Sequence, residues 1–187
     1  MSIKIYIDQG HNPRDFNTGA EGNGFFEQDI TYNIGVLLYR LFERNPDYEV
    51  RLSRPTPDTL LGTSNSSSLT ARVREANAWG ADVFLSLHTN AAARESASGS
   101  EALIYSYSST VANGLATDIL EEMTRLTGLA NRGVIERPGL YVLRRTNMPA
   151  VLVEMGFISN PSDAALMAYS PELFAEGIYR GVLKYYS

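Results

Sequence analysis

The sequence predicts an α/β domain with a mainly parallel sheet covered by helices on both faces. Three observations predict it. Strand and helix signals alternate along the 187 residues, the pattern of a parallel sheet with helical crossovers. Two runs, Val83–Leu87 (VFLSL) and Ala150–Val153 (AVLV), are apolar without alternation, as in strands buried on both faces. Glu27–Arg44 carries Ile30, Ile34, Leu37, Leu38, Leu41 and Phe42 on one side at 3.6-residue spacing, as a helix laid on a core does.

The remaining elements follow in chain order. Ile3–Ile7 alternates apolar and polar residues and reads as the first strand. Asn45-Pro46-Asp47 ends the helix over 27–44, and Glu49–Leu52 is a short strand. Ser53 to Ser68 is rich in Pro, Thr and Ser and reads as a loop. Leu69–Trp79 is a helix closed by Gly80, and Val111–Thr127 is one stopped by Gly128. Glu101–Tyr107 and Tyr141–Leu143 read as strands, and Glu172–Tyr185 as a closing helix. Phe157, Tyr179, Tyr185 and Tyr186 are expected in core or closing-helix packing. No repeat or linker divides the chain, so residues 1–187 are expected to form one domain of a size that buries a real core.

Composition excludes several function classes. A net charge of −5 argues against a nucleic-acid partner, which requires a basic face. With no cysteine, disulfides and thiolate chemistry are excluded, and any metal must be held by His, Asp or Glu. No apolar run approaches the roughly 18 residues of a membrane span. Met1-Ser2 leads straight into the first strand, so no export signal is expected in these residues.

The chain has only two histidines, and both fall at strand ends. His11 follows the first strand through Asp8-Gln9-Gly10, His88 ends VFLSLH, and Glu154 ends AVLVE. Ligands of open α/β sheets bind outside the carboxyl ends of the strands, so these three groups converge on one sheet edge. A single histidine after a strand is commonly an ordinary surface or capping residue; the joint placement carries the argument. Glu27 opens the first long helix, and the Gly- and Asn-rich stretch NPRDFNTGAEGNGFF can fold it back beside His11. Its other reading is a first-turn carboxylate stabilised by the helix dipole, and the residues alone leave both open. Two imidazoles and a carboxylate are a standard catalytic zinc set with one position left for water, and a further carboxylate can shuttle the proton. Asn90 and Glu101 border the same strand ends. Glu101 either fixes a ligand from behind or is a strand-edge charge. Arg72 pairs with Asp8, pairs with Glu101, or lies on a solvated helix face. Arg132, Arg144 and Arg145 are either solvated or meet substrate carboxylates.

Ordered motifs then match a known family along nearly the whole chain. They are IKIYIDQGH at 3–11, FFEQDITYNI at 25–34, LTARVREAN at 69–77, ADVFLSLHTNA at 81–91, GSEALIY at 99–105, NRGV at 131–134, YVLRRTNMPAVLVEMGFISNPSD at 141–163 and FAEGIYRGVLKYY at 174–186. The sequence resembles the zinc-dependent N-acetylmuramoyl-L-alanine amidases of the amidase-3 group, which cut bacterial peptidoglycan. The resemblance implies a three-layer α/β/α fold around a mostly parallel, mixed sheet of about six strands. It implies His11, Glu27 and His88 as ligands of one Zn2+ ion and Glu154 as the catalytic carboxylate. It implies peptidoglycan as the partner and a place of action outside the cytoplasm, in the wall or secreted; a monomer is the expected state.

One departure stands out. The family's first motif ordinarily reads DPGHGG; here it is Asp8-Gln9-Gly10-His11-Asn12-Pro13. The ligand histidine is kept, and the loop beyond it is expected to take another path, changing substrate contacts near residues 12–25. No long insertion resembles the autoinhibitory helix of some relatives, so an open site is expected, and no wall-binding repeats are seen. Two rival classes use the same residues: another zinc hydrolase, such as a peptidase or deacetylase, or a non-catalytic wall-binding domain.

Overall fold

A computed structural model describes residues 2–187. Its elements are β1 (Ile3–Gln9), β2 (Glu21–Gly22), β3 (Phe25–Phe26), α1 (Glu27–Glu43), β4 (Tyr48–Leu52), α2 (Asn65–Trp79), β5 (Val83–Asn90), β6 (Ser100–Ile104), α3 (Thr110–Thr127), β7 (Asn131–Glu136), α4 (Tyr141–Arg145), β8 (Ala150–Phe157), α5 (Pro161–Tyr169) and α6 (Pro171–Tyr186). The main sheet has six strands in the order β4-β1-β5-β8-β6-β7. β4, β1, β5 and β8 are mutually parallel; β6 runs antiparallel to β8 and parallel to β7. The sheet is therefore mixed and mostly parallel, as expected. The small β2–β3 hairpin stands apart from it.

Period-2 alternation sorts each strand between two cores. Ile5 and Ile7, Val83, Leu85 and Leu87, and Val151, Val153 and Met155 face the larger core with α1, α3 and α6. Tyr6, Phe84, Ala150 and Leu152 face the smaller core with α2 and α4. Burying one such aliphatic side chain contributes roughly 1.5–3 kcal/mol, and the unbroken apolar runs of β5 and β8 reflect burial on both faces. Phe157 is buried and Tyr179 and Tyr185 pack on the larger core, as expected, while Tyr186 is 37% exposed.

Helix ends follow local chemistry. Ser64 and Ser67 form a reciprocal capping box at the start of α2. Gly80 and Gly128 end α2 and α3 in the left-handed conformation, with φ of 67° and 74°. The loop expected to run to Ser68 thus ends at Ser64: the serines that suggest a loop are here a helix cap.

Three expectations need correction. Tyr141–Leu143 is helical, not a strand. β-prone residues misled the reading, but Pro138-Gly139 turn the chain, Arg144 N–H closes a helical turn on the Leu140 carbonyl, and Val142 and Leu143 are buried by α4 as a helix. The sixth strand is instead β7, whose pattern is broken by Gly133 at φ 91° and by exposure at the sheet edge. The strand expected over Glu101–Tyr107 ends at Ile104, with Tyr105 and Tyr107 exposed. The sequence reading also passed over α5, which Asn160 caps and Pro161 opens.

Candidate active site

The alternation that sorts the core also sorts the chemistry. Continuing the smaller-core face toward the carboxyl ends gives Asp8 after Tyr6 on β1, Ser86 and His88 after Phe84 on β5, and Glu154 after Leu152 on β8. His88 and Glu154 are register partners in neighbouring strands, and Glu101 is the partner of Glu154 on its other side. Because β6 runs against β8, it is the start of β6, not its end, that reaches this edge.

His11 lies beyond β1 in a left-handed conformation, with φ 70°. That conformation is uncommon for a non-glycine residue, and strained backbone of this kind gathers at functional sites. Its Nδ1 lies 3.2 Å from the Asn17 carbonyl. A carbonyl only accepts, so Nδ1 carries the proton and Nε2 keeps its lone pair. Nε2 points at Glu27 Oε1, 3.2 Å away. His88 Nδ1 approaches the same oxygen at 3.1 Å. The two rings meet edge to face with centroids 4.8 Å apart.

Glu27 is buried and fixed from several directions. The Thr89 N–H donates to Oε1 and the Ala20 N–H to Oε2, each at 2.9 Å. Burial by itself would raise this carboxyl, but the two imidazoles beside it outweigh that and hold it well below the usual range. For His88 burial acts downward, and the Glu27 carboxylate outweighs it and raises the imidazole. Of the two readings open for Glu27, the structure places it between the histidines.

The donor set suits a metal ion. One atom each from His11, Glu27 and His88 lies within 4.8 Å of the others. Zinc bonds of 2.0–2.2 Å in a tetrahedron set neighbouring donors about 3.4 Å apart, close to the 3.1 and 3.2 Å separations found here. Gly10 makes the packing possible: a Cβ there would come 2.5 Å from the Leu87 carbonyl oxygen and 2.6 Å from His88 Cε1.

Glu154 stands beside this cluster with its Oε2 buried and without a hydrogen-bond partner. Burial, with the charges of Glu27 and Glu101, outweighs the attraction of His88 and pushes its carboxyl up to about 7. Glu101 is itself fixed, accepting from Asn90 Nδ2 at 2.9 Å and from Arg132 Nε at 3.1 Å. The structure thus brings Asn90, Glu101 and Arg132 together next to Glu154. Arg144 and Arg145 are exposed on the last turn of α4.

Arg72 is paired with Asp8, not with Glu101 and not with solvent. Its Nη1 donates to Asp8 Oδ1 at 2.5 Å and to the Gln9 carbonyl at 2.6 Å, and its Nη2 to the His11 carbonyl at 2.6 Å. Ser86 donates to the other Asp8 oxygen at 2.8 Å. This buried pair ties α2 to the turn that carries His11. Asn17 reinforces the tie, donating through its backbone to Asn65 Oδ1 at 2.6 Å and through its side chain to Ser68 Oγ at 3.0 Å. Asn12 is fully buried and bonds both ways with the Leu61 backbone; the loop beyond His11 is thereby pinned to the segment before α2. The sequence reading missed Asn17, Thr89 and Ala20, whose contacts to His11 and Glu27 come from backbone groups and leave no side-chain signature. Ser86 was detectable as the one polar residue inside VFLSL.

A small pocket of about 110 Å³ adjoins the two imidazoles, walled by Leu69, Leu140, Tyr141, Val142 and Leu152. The helical course of 141–145 therefore shapes one side of the site.

Comparison with known proteins places the chain in a family. Residues 5–184 match the family model Amidase_3, N-acetylmuramoyl-L-alanine amidase. The chain is 36% identical over 180 residues to N-acetylmuramoyl-L-alanine amidase CwlM of Bacillus licheniformis, covering 96% of this chain and 65% of that protein. It is 34% identical over 187 residues to N-acetylmuramoyl-L-alanine amidase LytC of Bacillus subtilis, covering 97% of this chain and 35% of that one. The chain thus spans less than two thirds of the length of these two relatives. The crystal structure of N-acetylmuramoyl-L-alanine amidase from Clostridium difficile superposes with a TM-score of 0.88 at 29% identity, over 99% of this chain and 97% of that one. Since the family match runs almost from end to end and the fold superposes over nearly the whole chain, the chain belongs to the Amidase_3 family of N-acetylmuramoyl-L-alanine amidases.

Proposed function

We propose that this chain is a zinc-dependent peptidoglycan amidase. It hydrolyses the amide between N-acetylmuramic acid and the L-alanine of the stem peptide. The observation that carries the reading is the unpartnered, buried Oε2 of Glu154 on the same sheet face as His88, beside a His-Glu-His donor set. A buried carboxylate oxygen with no partner is costly unless a ligand or a proton completes it.

His11 Nε2, His88 Nδ1 and Glu27 hold the ion in this reading. Zinc in such a set supplies Lewis acidity, polarising a scissile carbonyl and lowering the pKa of water. The rest is the work of the chain. Asn17 fixes the His11 tautomer, and Thr89 and Ala20 orient Glu27, as partners behind a metal ligand do. Glu154 accepts at Oε2 the proton of the attacking water and delivers it to the alanine nitrogen as the C–N bond breaks. Residues 1–187 act as one catalytic domain on peptidoglycan as a monomer, outside the cytoplasm. No helix among the described residues is long and apolar enough to cross a membrane.

The test is amide cleavage of purified peptidoglycan by the zinc-loaded protein, beside a chelated sample and Glu154→Gln. New L-alanine amino termini are expected. Chelation abolishes them, and Glu154→Gln lowers the rate by about 10²–10⁴ while zinc stays bound. Intact peptidoglycan with stoichiometric zinc bound would sink the amidase reading and shift the weight to another zinc hydrolase or a binding domain.

A further inference from the structure

Arg132 is held in a way that its place in the chain does not require. It sits on β7, the edge strand, with its side chain 43% exposed. Yet its guanidinium lies over the Phe157 ring, 5.0 Å from the centroid. Its Nε donates to Glu101 Oε2 at 3.1 Å and its Nη1 to the Ser98 carbonyl at 3.3 Å. Gly99 makes room for the stem: a Cβ there would come within 3.0 Å of Arg132 Cδ. The walls of this cradle are themselves fixed. Buried Asp163 accepts from the Gly99 N–H at 3.1 Å and the Phe157 N–H at 3.0 Å. A surface arginine ordinarily keeps its rotamer freedom; here the orientation is set before any ligand arrives, and Nη2 has no hydrogen-bond partner among the described residues.

The location gives the cradle a meaning. Glu101 separates Arg132 from Glu154, with β6 between β7 and β8. Two strand spacings put the arginine about 10 Å from the Glu154 strand. An extended peptide covers at most about 3.6 Å per residue. If the amide to be cut lies at Glu154, the next two or three residues of the stem peptide reach the guanidinium.

We propose that Arg132 is a specificity-determining residue that recognises a free carboxylate on the stem peptide, carried by the acidic residue next after L-alanine. This rests on the amidase reading above. Glu101 and Asn90 serve as its positioning partners: Glu101 occupies one edge of the guanidinium and leaves Nη2 free to donate to the incoming carboxylate, a charge-assisted contact that a carboxamide at the same place answers weakly. Arg144 and Arg145, which lack such a cradle, have no part in it.

The experiment compares two soluble muramoyl peptides that differ only in a carboxylate or a carboxamide on the residue after L-alanine. Wild type, Arg132→Gln and Arg132→Lys are each zinc-loaded. Wild type is expected to favour the carboxylate by about tenfold in kcat/KM. Arg132→Gln loses the preference through a raised KM for the acidic substrate alone, and Arg132→Lys keeps part of it. A merely structural role would lower both substrates together, and an unchanged ratio in Arg132→Gln would overturn the proposal. Calorimetric titration of the two free peptides, without the sugar, separates the readings. If nothing is cleaved but the acidic peptide binds more tightly, and only with Arg132 intact, recognition stands and the amidase reading falls. If neither peptide shows an Arg132-dependent preference, recognition falls as well.

Discussion

Arg72 and Asp8 are each 1% exposed, and the pair joins α2, β1 and the turn bearing His11. Removing one partner leaves the other charge buried and unpaired. Arg72→Ala is therefore expected to destabilise the fold by about 3–5 kcal/mol, measured by chemical denaturation. The pH dependence has a definite sign. Burial would raise the Asp8 carboxyl, but the Arg72 guanidinium outweighs it and holds the carboxyl below its ordinary 3.8. A carboxyl with a depressed folded value contributes stability above its unfolded value and loses that contribution as pH falls through the folded one. The stability contributed by Asp8 is thus intact above about pH 4 and fades in stronger acid. Asp8→Asn should flatten that acid limb in a series of melts, and an unchanged acid limb would contradict the assignment. At this scale the sequence was informative about side chains. His11, His88 and Glu154 were legible from their places after apolar runs, although β8 continues three residues past Glu154 to Phe157, while Glu27 needed the family resemblance to leave its dipole reading. Arg72 had two partners and a solvated face open to it, because no local pattern tells which buried group a long side chain will reach.

Among the elements, α2 does the most to position the site. Its first turns hold Asn17 through Asn65 and Ser68, and Arg72 one turn later holds the Gln9 and His11 carbonyls. The capping box at Ser64 secures the end of the helix from which these contacts are made. Ser64→Ala should lower the unfolding free energy by about 1 kcal/mol, read from denaturant midpoints at constant m-value; no change would mean that the tertiary ties alone hold the first turn. The strands buried on both faces and the long amphipathic helix announced themselves by pattern. α4 did not. Tyr-Val-Leu favours a strand by composition, and its helical form is imposed by the preceding turn and by burial against α2 and β8. β7 escaped for the opposite reason: an edge strand interrupted by a left-handed glycine has neither an apolar run nor clean alternation.

Over the whole molecule, the proposed metal ligands come from three separate places: the turn after β1, the start of α1 and the end of β5. An ion bound by all three stabilises the folded state alone. At a free zinc concentration one hundred times the dissociation constant, the gain should be about 2.7 kcal/mol. Calorimetric melts with and without zinc, reversed by a chelator, would register it as a higher Tm. A Tm indifferent to zinc would count against the donor set.

What the sequence by itself determined is the α/β class, the mainly parallel centre and the edge of the sheet where the chemistry gathers. Hydrophobic period and strand-end position are local properties, and a parallel sheet with helical crossovers sends every strand end of that kind to one side. What only the tertiary structure decided is which partners meet. The reversal of β6 brings Glu101 beside Glu154, the fold of residues 12–26 seats Glu27 between two imidazoles, and α5 fixes the cradle of Arg132. Each depends on strand order, strand direction or backbone hydrogen bonds between segments far apart in the chain, which no local spacing encodes.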